Sequence, residues 1–273
     1  MFGGSCPWSK DSGDVSASVF RYFHPIFAFF EMIQVLSKEF NSFLNSLIAY
    51  VVIGVFLTGI GLLMWVFPET SVMEYGYADM ETLFSLGPYV FIFLIPAITM
   101  RSFAEEQRGG TLELLLTKPL SDWDIILGKF LACFFLVLLS LVPTAIYYGS
   151  VYALGNPVGN IDTPGVLGSY IGLILLGAVF CSIGIFASAL TNNQIVSFIV
   201  AAFLCYLLFA GFESISLLNV WSESSLLIKQ LGLLFHYDAL SRGLIDSRNI
   251  IYFCSVIAGM LLITRTILGA RSW

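Results

Sequence analysis

From Met32 onward the hydrophobic positions fall into an order that residues 1–31 lack. Met32, Leu36, Phe40, Phe43 and Leu47 share one helical face, and Gln34, Ser37, Lys38, Asn41 and Asn45 share the other. Glu39 strays onto the edge of the apolar side and leaves the stripe imperfect. This pattern predicts an amphipathic helix lying in a membrane interface. Six long apolar runs follow, at about 47–67, 84–100, 125–148, 165–190, 194–218 and 250–268. A bilayer-spanning helix takes about 17–25 mostly apolar residues. Lipid offers the backbone no hydrogen-bond partner, so each run is predicted to be helical. The fold class predicted is therefore an all-α polytopic membrane protein with six transmembrane helices.

Local signals set the limits of these runs. Pro68 closes the first, and Pro88 and Pro96 are expected to kink the second. Asp162-Thr163-Pro164 reads as the capped start of the fourth, and the polar turn TNNQ joins it to the fifth. Segment 219–249 is too polar to span yet keeps an apolar stripe, so it is expected to lie in, or dip into, the outer interface. No repeat of fixed period is present, and residues 32–273 read as one membrane domain. Residues 1–31 are Gly/Ser-rich and then aromatic around Pro25, and they make a poor secretory signal. The compositional break predicts that the natural chain starts at Met32.

Composition agrees with this picture and excludes several activities. The chain is 58% hydrophobic and only 11% charged, against roughly 25% charged residues in an ordinary soluble domain. A net charge of −6, with no basic patch interleaved with aromatics, gives no reason to expect nucleic acid. Cys133, Cys181, Cys205 and Cys254 stand singly in apolar runs, where cysteine behaves as a small hydrophobe, and none has a metal-ligand spacing. No nucleophile–base set for intramembrane hydrolysis is visible. The only Gly-Lys pair, Gly128-Lys129, is followed by Phe130 and is not a phosphate loop. No catalytic, cofactor-binding or metal residue is predicted.

Charge placement predicts orientation. Arg101, Arg108, Lys118 and Lys129 lie in segment 101–129, whereas the loops at 68–83 and 149–164 carry no Lys or Arg. The positive-inside bias then places 101–129 and both termini in the cytoplasm, with Lys38, Arg265 and Arg271 on the same side. Lys229, Arg242 and Arg248 are the exceptions, in the outer segment.

Residues 101–130, RSFAEEQRGGTLELLLTKPLSDWDIILGKF, hold nine of the thirty charged residues. Gly109-Gly110 should end the extension of the second span. Thr111 can cap a short helix with Glu113 in its first turn and Lys118 in its last, where the helix dipole favours each charge. Pro119 stops that helix, and Ser121-Asp122-Trp123-Asp124 reads as a capping box opening the third span. Leu112, Leu114, Leu115 and Leu116 need cover from lipid, from the spans or from another protein. By these features alone the segment also fits a solvated hairpin. Glu213, near the outer end of the fifth span, is either an intramembrane polar site or a carboxylate reaching the interface. His236 and Asp238 are two residues apart and point away from each other on a helix, so they do not form a catalytic pair.

The stretch from Met100 to Phe130 resembles the cytoplasmic loop of ABC-2 type transporter permeases. That pattern has two acidic residues, a basic residue, Gly-Thr, Glu, a leucine cluster and a proline. Here these are Glu105, Glu106, Arg108, Gly109 with Gly110 and Thr111, Glu113, Leu115 within the cluster, and Pro119. KEFNSFLNSLIAYVVIGVF at 38–56 and FHYDALSRGLIDSRNIIYF at 235–253, with Arg242, Asp246 and Arg248, are similar to one branch of that family. Together they look most like the gliding-motility-associated permease subunit of Bacteroidota, while copper-processing permeases share the loop pattern. The resemblance implies a six-helix permease of the bacterial inner membrane, working as a homodimer or a heterodimer with a second membrane subunit. It implies that two ATPase subunits dock beneath, that ATP is bound by them and not by this chain, and that residues 103–118 form a coupling helix for export. The alternatives are a permease for copper-site maturation or small-molecule export, and a membrane scaffold that needs no ATPase. Arg242, Asp246 and Arg248 read as structural.

Overall fold

The computed structural model describes residues 32–111, 121–216, 225–243 and 246–270, and among these all regular structure is helical. Helix α1 (32–44) turns at Asn45-Ser46 into α2 (Leu47–Trp65), where the Ser46 hydroxyl accepts from the Ile48 amide at 3.2 Å. After the short α3 (Val72–Tyr75) come α4 (Glu81–Thr99) and α5 (Ala104–Gly109). Next are α6 (Asp122–Leu141), α7 (Ala145–Leu154), α8 (Thr163–Leu190) and α9 (Gln194–Tyr206). The chain closes with α10 (Phe212–Ser216), α11 (Ser225–Gln230), α12 (Leu233–Ser241) and α13 (Ser247–Ala270).

Six helical runs among the described residues are long and apolar enough to cross a membrane: Leu47–Trp65, Glu81–Gly109, Asp122–Leu154, Thr163–Leu190, Gln194–Ser216 and Ser247–Ala270. Their number matches the sequence reading, and several limits move. The third run passes Pro143 through a 3-10 turn and reaches Leu154, beyond the expected end at 148. Thr144 holds that turn, its hydroxyl meeting the Leu141 carbonyl at 2.6 Å and the Tyr170 hydroxyl at 2.9 Å. The capped starts are as expected. Ser121 and Asp124 form a reciprocal capping box, and the Asp162 carboxylate accepts from the Gly165 amide with proline in the first turn.

Pro88 and Pro96 both sit inside α4. Pro88 has no N–H to give to the carbonyl of Phe84, four residues back. Tyr237 supplies the missing donor: its hydroxyl reaches the Phe84 oxygen at 2.6 Å from α12. The polar segment after the fifth run thus contributes a helix that inserts a tyrosine between two spans. Leu233, Tyr237 and Leu240 of α12 are buried, and Ser169 of α8 donates to the Ser241 carbonyl at 3.0 Å. His236 stacks on Tyr252 of α13 at 4.0 Å and bridges Asn249 and the Gln230 carbonyl, at 2.8 and 3.0 Å. These contacts account for both of its ring nitrogens structurally.

Helix α8 is the hub. Its most apolar stretch is 78% buried, against 17% for that of α13. Lipid is as apolar as leucine, so spans associate by close fit rather than by hydrophobic drive. Small residues provide that fit: a Cβ on Gly172 would crowd Tyr237 and Leu240 at 3.3 Å, one on Gly177 would press Val137 at 3.0 Å, and one on Gly184 would overlap Thr99. Across the bundle Phe56 of α2 stacks on Phe91 of α4 at 5.0 Å.

Candidate functional site

The charged stretch begins where α4 gives way to α5. Ser188, near the end of α8, holds this joint. Its hydroxyl accepts from the amides of Phe103 and Ala104, at 2.9 and 3.0 Å, and donates to the Met100 carbonyl at 3.1 Å. The Gln107 side-chain Nε2 donates to the Ala189 carbonyl at 3.1 Å. One serine thereby satisfies two amides that a new helix start leaves without partners. Helix α5 ends at Gly110, whose φ of 66° is the left-handed conformation that a glycine adopts without steric cost.

The charges of α5 divide into two faces. Glu105 is 52% exposed and pairs with Arg101 one turn back at 2.8 Å, an exposed contact worth about 0.2–0.5 kcal/mol. Arg108, Gly109 and Thr111 are exposed as well, and the Thr111 hydroxyl reaches the Glu106 carbonyl at 3.4 Å. Glu106 points the other way. Its carboxylate meets the ammonium of Lys129 at 2.8 Å, inside the bundle. Glu113, Leu115 and Pro119 lie outside the described residues.

Lys129 is the centre of this interior site. Its side chain is 2% exposed, and its three donors meet three acceptors: Glu106 at 2.8 Å, Glu39 of α1 at 3.1 Å and the Ser102 carbonyl at 2.7 Å. The Phe103 ring lies 5.2 Å from the ammonium. An ammonium has three N–H groups and no acceptor, so the set is complete. Glu106 Oε2 is buried without a partner, and the exposed Lys38 ammonium stands 3.9 Å from Glu39, so Lys129 is the buried cation of the set. Next to it, Gly128 lets α1 cross α6 closely: a Cβ there would stand 2.8 Å from Val35. Arg265 of α13 lies over the Trp123 ring at 5.2 Å, which brings the last span to the start of α6.

Sequence reasoning missed Lys129 and Glu39 as partners. Lys129 reads as a flanking charge and Glu39 as a flaw in an amphipathic stripe. Both signals were present, a carboxylate on the apolar side of one helix and an ammonium two turns inside another, but nothing in one dimension joins them.

At the opposite end of the bundle Glu213 pairs with Lys229 at 3.0 Å, both partly exposed. Asp246 accepts from the Arg248 amide at 3.0 Å and caps α13, while Arg242 ends α12. A cavity of about 520 Å³ opens there between Asp79, Glu81, Asp162, Asp238 and Arg242. Burial, and then the neighbouring Glu213 charge, raise the Asp238 carboxyl above its ordinary 3.8, against the pull of Arg242 and Lys229. A raised carboxyl means that the fold binds the proton more tightly than the unfolded chain does. Its contribution is present below 3.8 and is lost as pH rises through the raised value. Asp238→Asn is therefore expected to raise the thermal midpoint at pH 7 and to leave it unchanged near pH 3. A lower midpoint for the variant at pH 7 would contradict this account.

Comparisons with known proteins follow the same lines. Over 122 residues the chain is 32% identical to a Pseudomonas aeruginosa protein named "Probable ABC transporter permease protein NosY". That match covers 43% of this chain and 43% of the relative's own length, so the two correspond over less than half of either. A family model described as ABC-2 family transporter protein matches residues 33–241, from the start of α1 to the end of α12. With that match across five of its six apolar runs, this chain belongs to the ABC-2 family of transporter proteins.

Proposed function

We propose that the chain is the membrane-embedded permease subunit of an ATP-driven exporter, and that the α5 end of the bundle docks a separate ATPase subunit. The observation that carries this reading is the mounting of α5. Ser188 and Lys129 tie it to α8 and α6, while Glu105 and Arg108 remain turned outward. A short element held firmly to several spans can pass a partner's closing movement into the membrane. By sequence, Glu113, Leu115 and Pro119 extend the same docking element. The permease acts as a dimer with a second copy or a second membrane subunit, in the bacterial inner membrane, with both termini and α5 cytoplasmic. Resemblance over 38–56 and 235–253 supports the gliding-motility-associated branch, and a deletion strain with normal surface spreading would assign the chain to another export role.

The test is recovery of the ATPase subunit on inside-out and right-side-out membrane vesicles, with membrane level as control. Binding is expected only on inside-out vesicles. The double variant Glu105→Lys/Arg108→Glu should reduce recovery by about tenfold, because unlike charges across the contact become like ones. Glu106 is left untouched, since its reversal would place a second cation against Lys129. Full recovery with the double variant, or binding from the other side, overturns the assignment of α5.

A further inference from the structure

We propose that Lys129 is the positioning residue that locks α1 and α5 onto α6, so that the three move as one body. Its role in coupling rests on the ATPase-docking reading above; the lock itself does not. The case begins with where the three elements come from. Glu39 lies on the amphipathic helix that precedes the first span, Glu106 on the helix that follows the second, and Lys129 in the third. They are 90 and 23 residues from Lys129 in sequence, yet they converge on one ammonium.

The geometry of the convergence is that of a joint. Each of the three donors serves a different segment: α1, α5 and the turn at Ser102 that leads into α5. Gly128 brings α1 against α6 at the same level, so the crossing has no room to slide past Val35. The carboxylates are mostly buried, at 15% and 17% exposure, so the contact is shielded from salt screening. A push on α5 therefore reaches α6 directly, without passing through the α4 backbone. The same push reaches α1, which continues into α2 through the Ser46 turn, where Arg101 Nη1 also stands 3.5 Å from the Ser46 hydroxyl.

A variant that removes every charge separates a lock from mere packing. Glu39→Gln/Glu106→Gln/Lys129→Met leaves no buried ion unpaired, and such neutral replacements of a whole buried set commonly fold. The first readout uses the full chain without any partner, with Cys6 and Cys254 replaced by serine and spin labels at positions 34, 105 and 122. In the parent, the 34–122 and 105–122 distances should each be single and narrow, and in the neutral triple variant both should lose that single narrow distance. Glu39→Gln alone, which leaves Lys129 paired with Glu106, should broaden only the 34–122 distance; it serves if the triple variant does not reach the membrane. The second readout uses the complex with its ATPase. Recovery should be unchanged in the triple variant, while hydrolysis stimulated by the permease falls about tenfold, the size of a typical coupling effect. Distances as narrow in the triple variant as in the parent, or broad already in the parent, overturn the lock. A parent chain that recovers no ATPase overturns the docking reading alone, since the label distances still decide the inference about Lys129.

Discussion

Replacing Lys129 alone by methionine is expected to cost about 3–5 kcal/mol of stability, the penalty typical of breaking a buried ion set by removing one partner. Methionine matches the lysine stem in volume, so little packing is lost. What changes is electrostatic. Glu39 and Glu106 are left facing each other at 15% and 17% exposure with no buried cation between them, only the exposed Lys38 at 3.9 Å from Glu39, and Glu106 Oε2 already lacks a partner. The Ser102 carbonyl also loses its donor. The chain relieves this repulsion by opening α1 away from α6. The thermal midpoint in detergent should therefore fall steeply, with protease sensitivity rising first near α1. Adding Glu39→Gln and Glu106→Gln should restore most of the midpoint, because no buried charge then remains. A single Lys129→Met variant as stable as the parent would show that the three side chains are held apart in solution.

The second large effect is expected at Gly168, where α8 meets the end of α12. A Cβ there would stand 2.7 Å from the Leu240 carbonyl oxygen and 2.8 Å from the Gly243 Cα. Both obstacles are backbone, so no rotamer change relieves them. Gly168→Ala must push α12 off α8, and overpacking of this kind costs about 1–3 kcal/mol. The displacement also draws Tyr237 from the Phe84 carbonyl that Pro88 leaves without its helical donor. An unsatisfied buried acceptor adds about 1–3 kcal/mol. Tyr237→Phe isolates that second loss, and the two substitutions together should cost less than their sum, because they break one contact. Strict additivity in thermal midpoints would mean that Gly168 and Tyr237 act independently. A neutral Gly168→Ala would mean that α12 does not lie against α8.

These effects mark the line between what one dimension holds and what it does not. The sequence determined that the chain is helical, has six apolar runs and belongs in a membrane, because lipid leaves the backbone only its own hydrogen bonds. It determined helix ends wherever a local side chain closes them: the Ser121–Asp124 box, the Asp162 cap before Pro164 and the left-handed Gly110 all act within a few residues. It pointed to the charged stretch after the second span as a likeness to a known loop, and the match over residues 33–241 bears out the family.

Tertiary structure alone decided which faces meet. A span that is apolar all round carries no stripe to say which side turns inward, and in lipid the choice falls to close fit and polar pairing. The rotation of α6 about its axis puts Lys129 inside, between Glu39 and Glu106, rather than among the headgroups. The rotation of α8 sets Ser188 under the α4–α5 joint and Gly168 under α12. It is also why Tyr237, in a segment too polar to span, completes a hydrogen bond broken by a proline 149 residues earlier in the chain. Contacts of this kind join residues by the angle between helices, and no spacing along the chain encodes that angle.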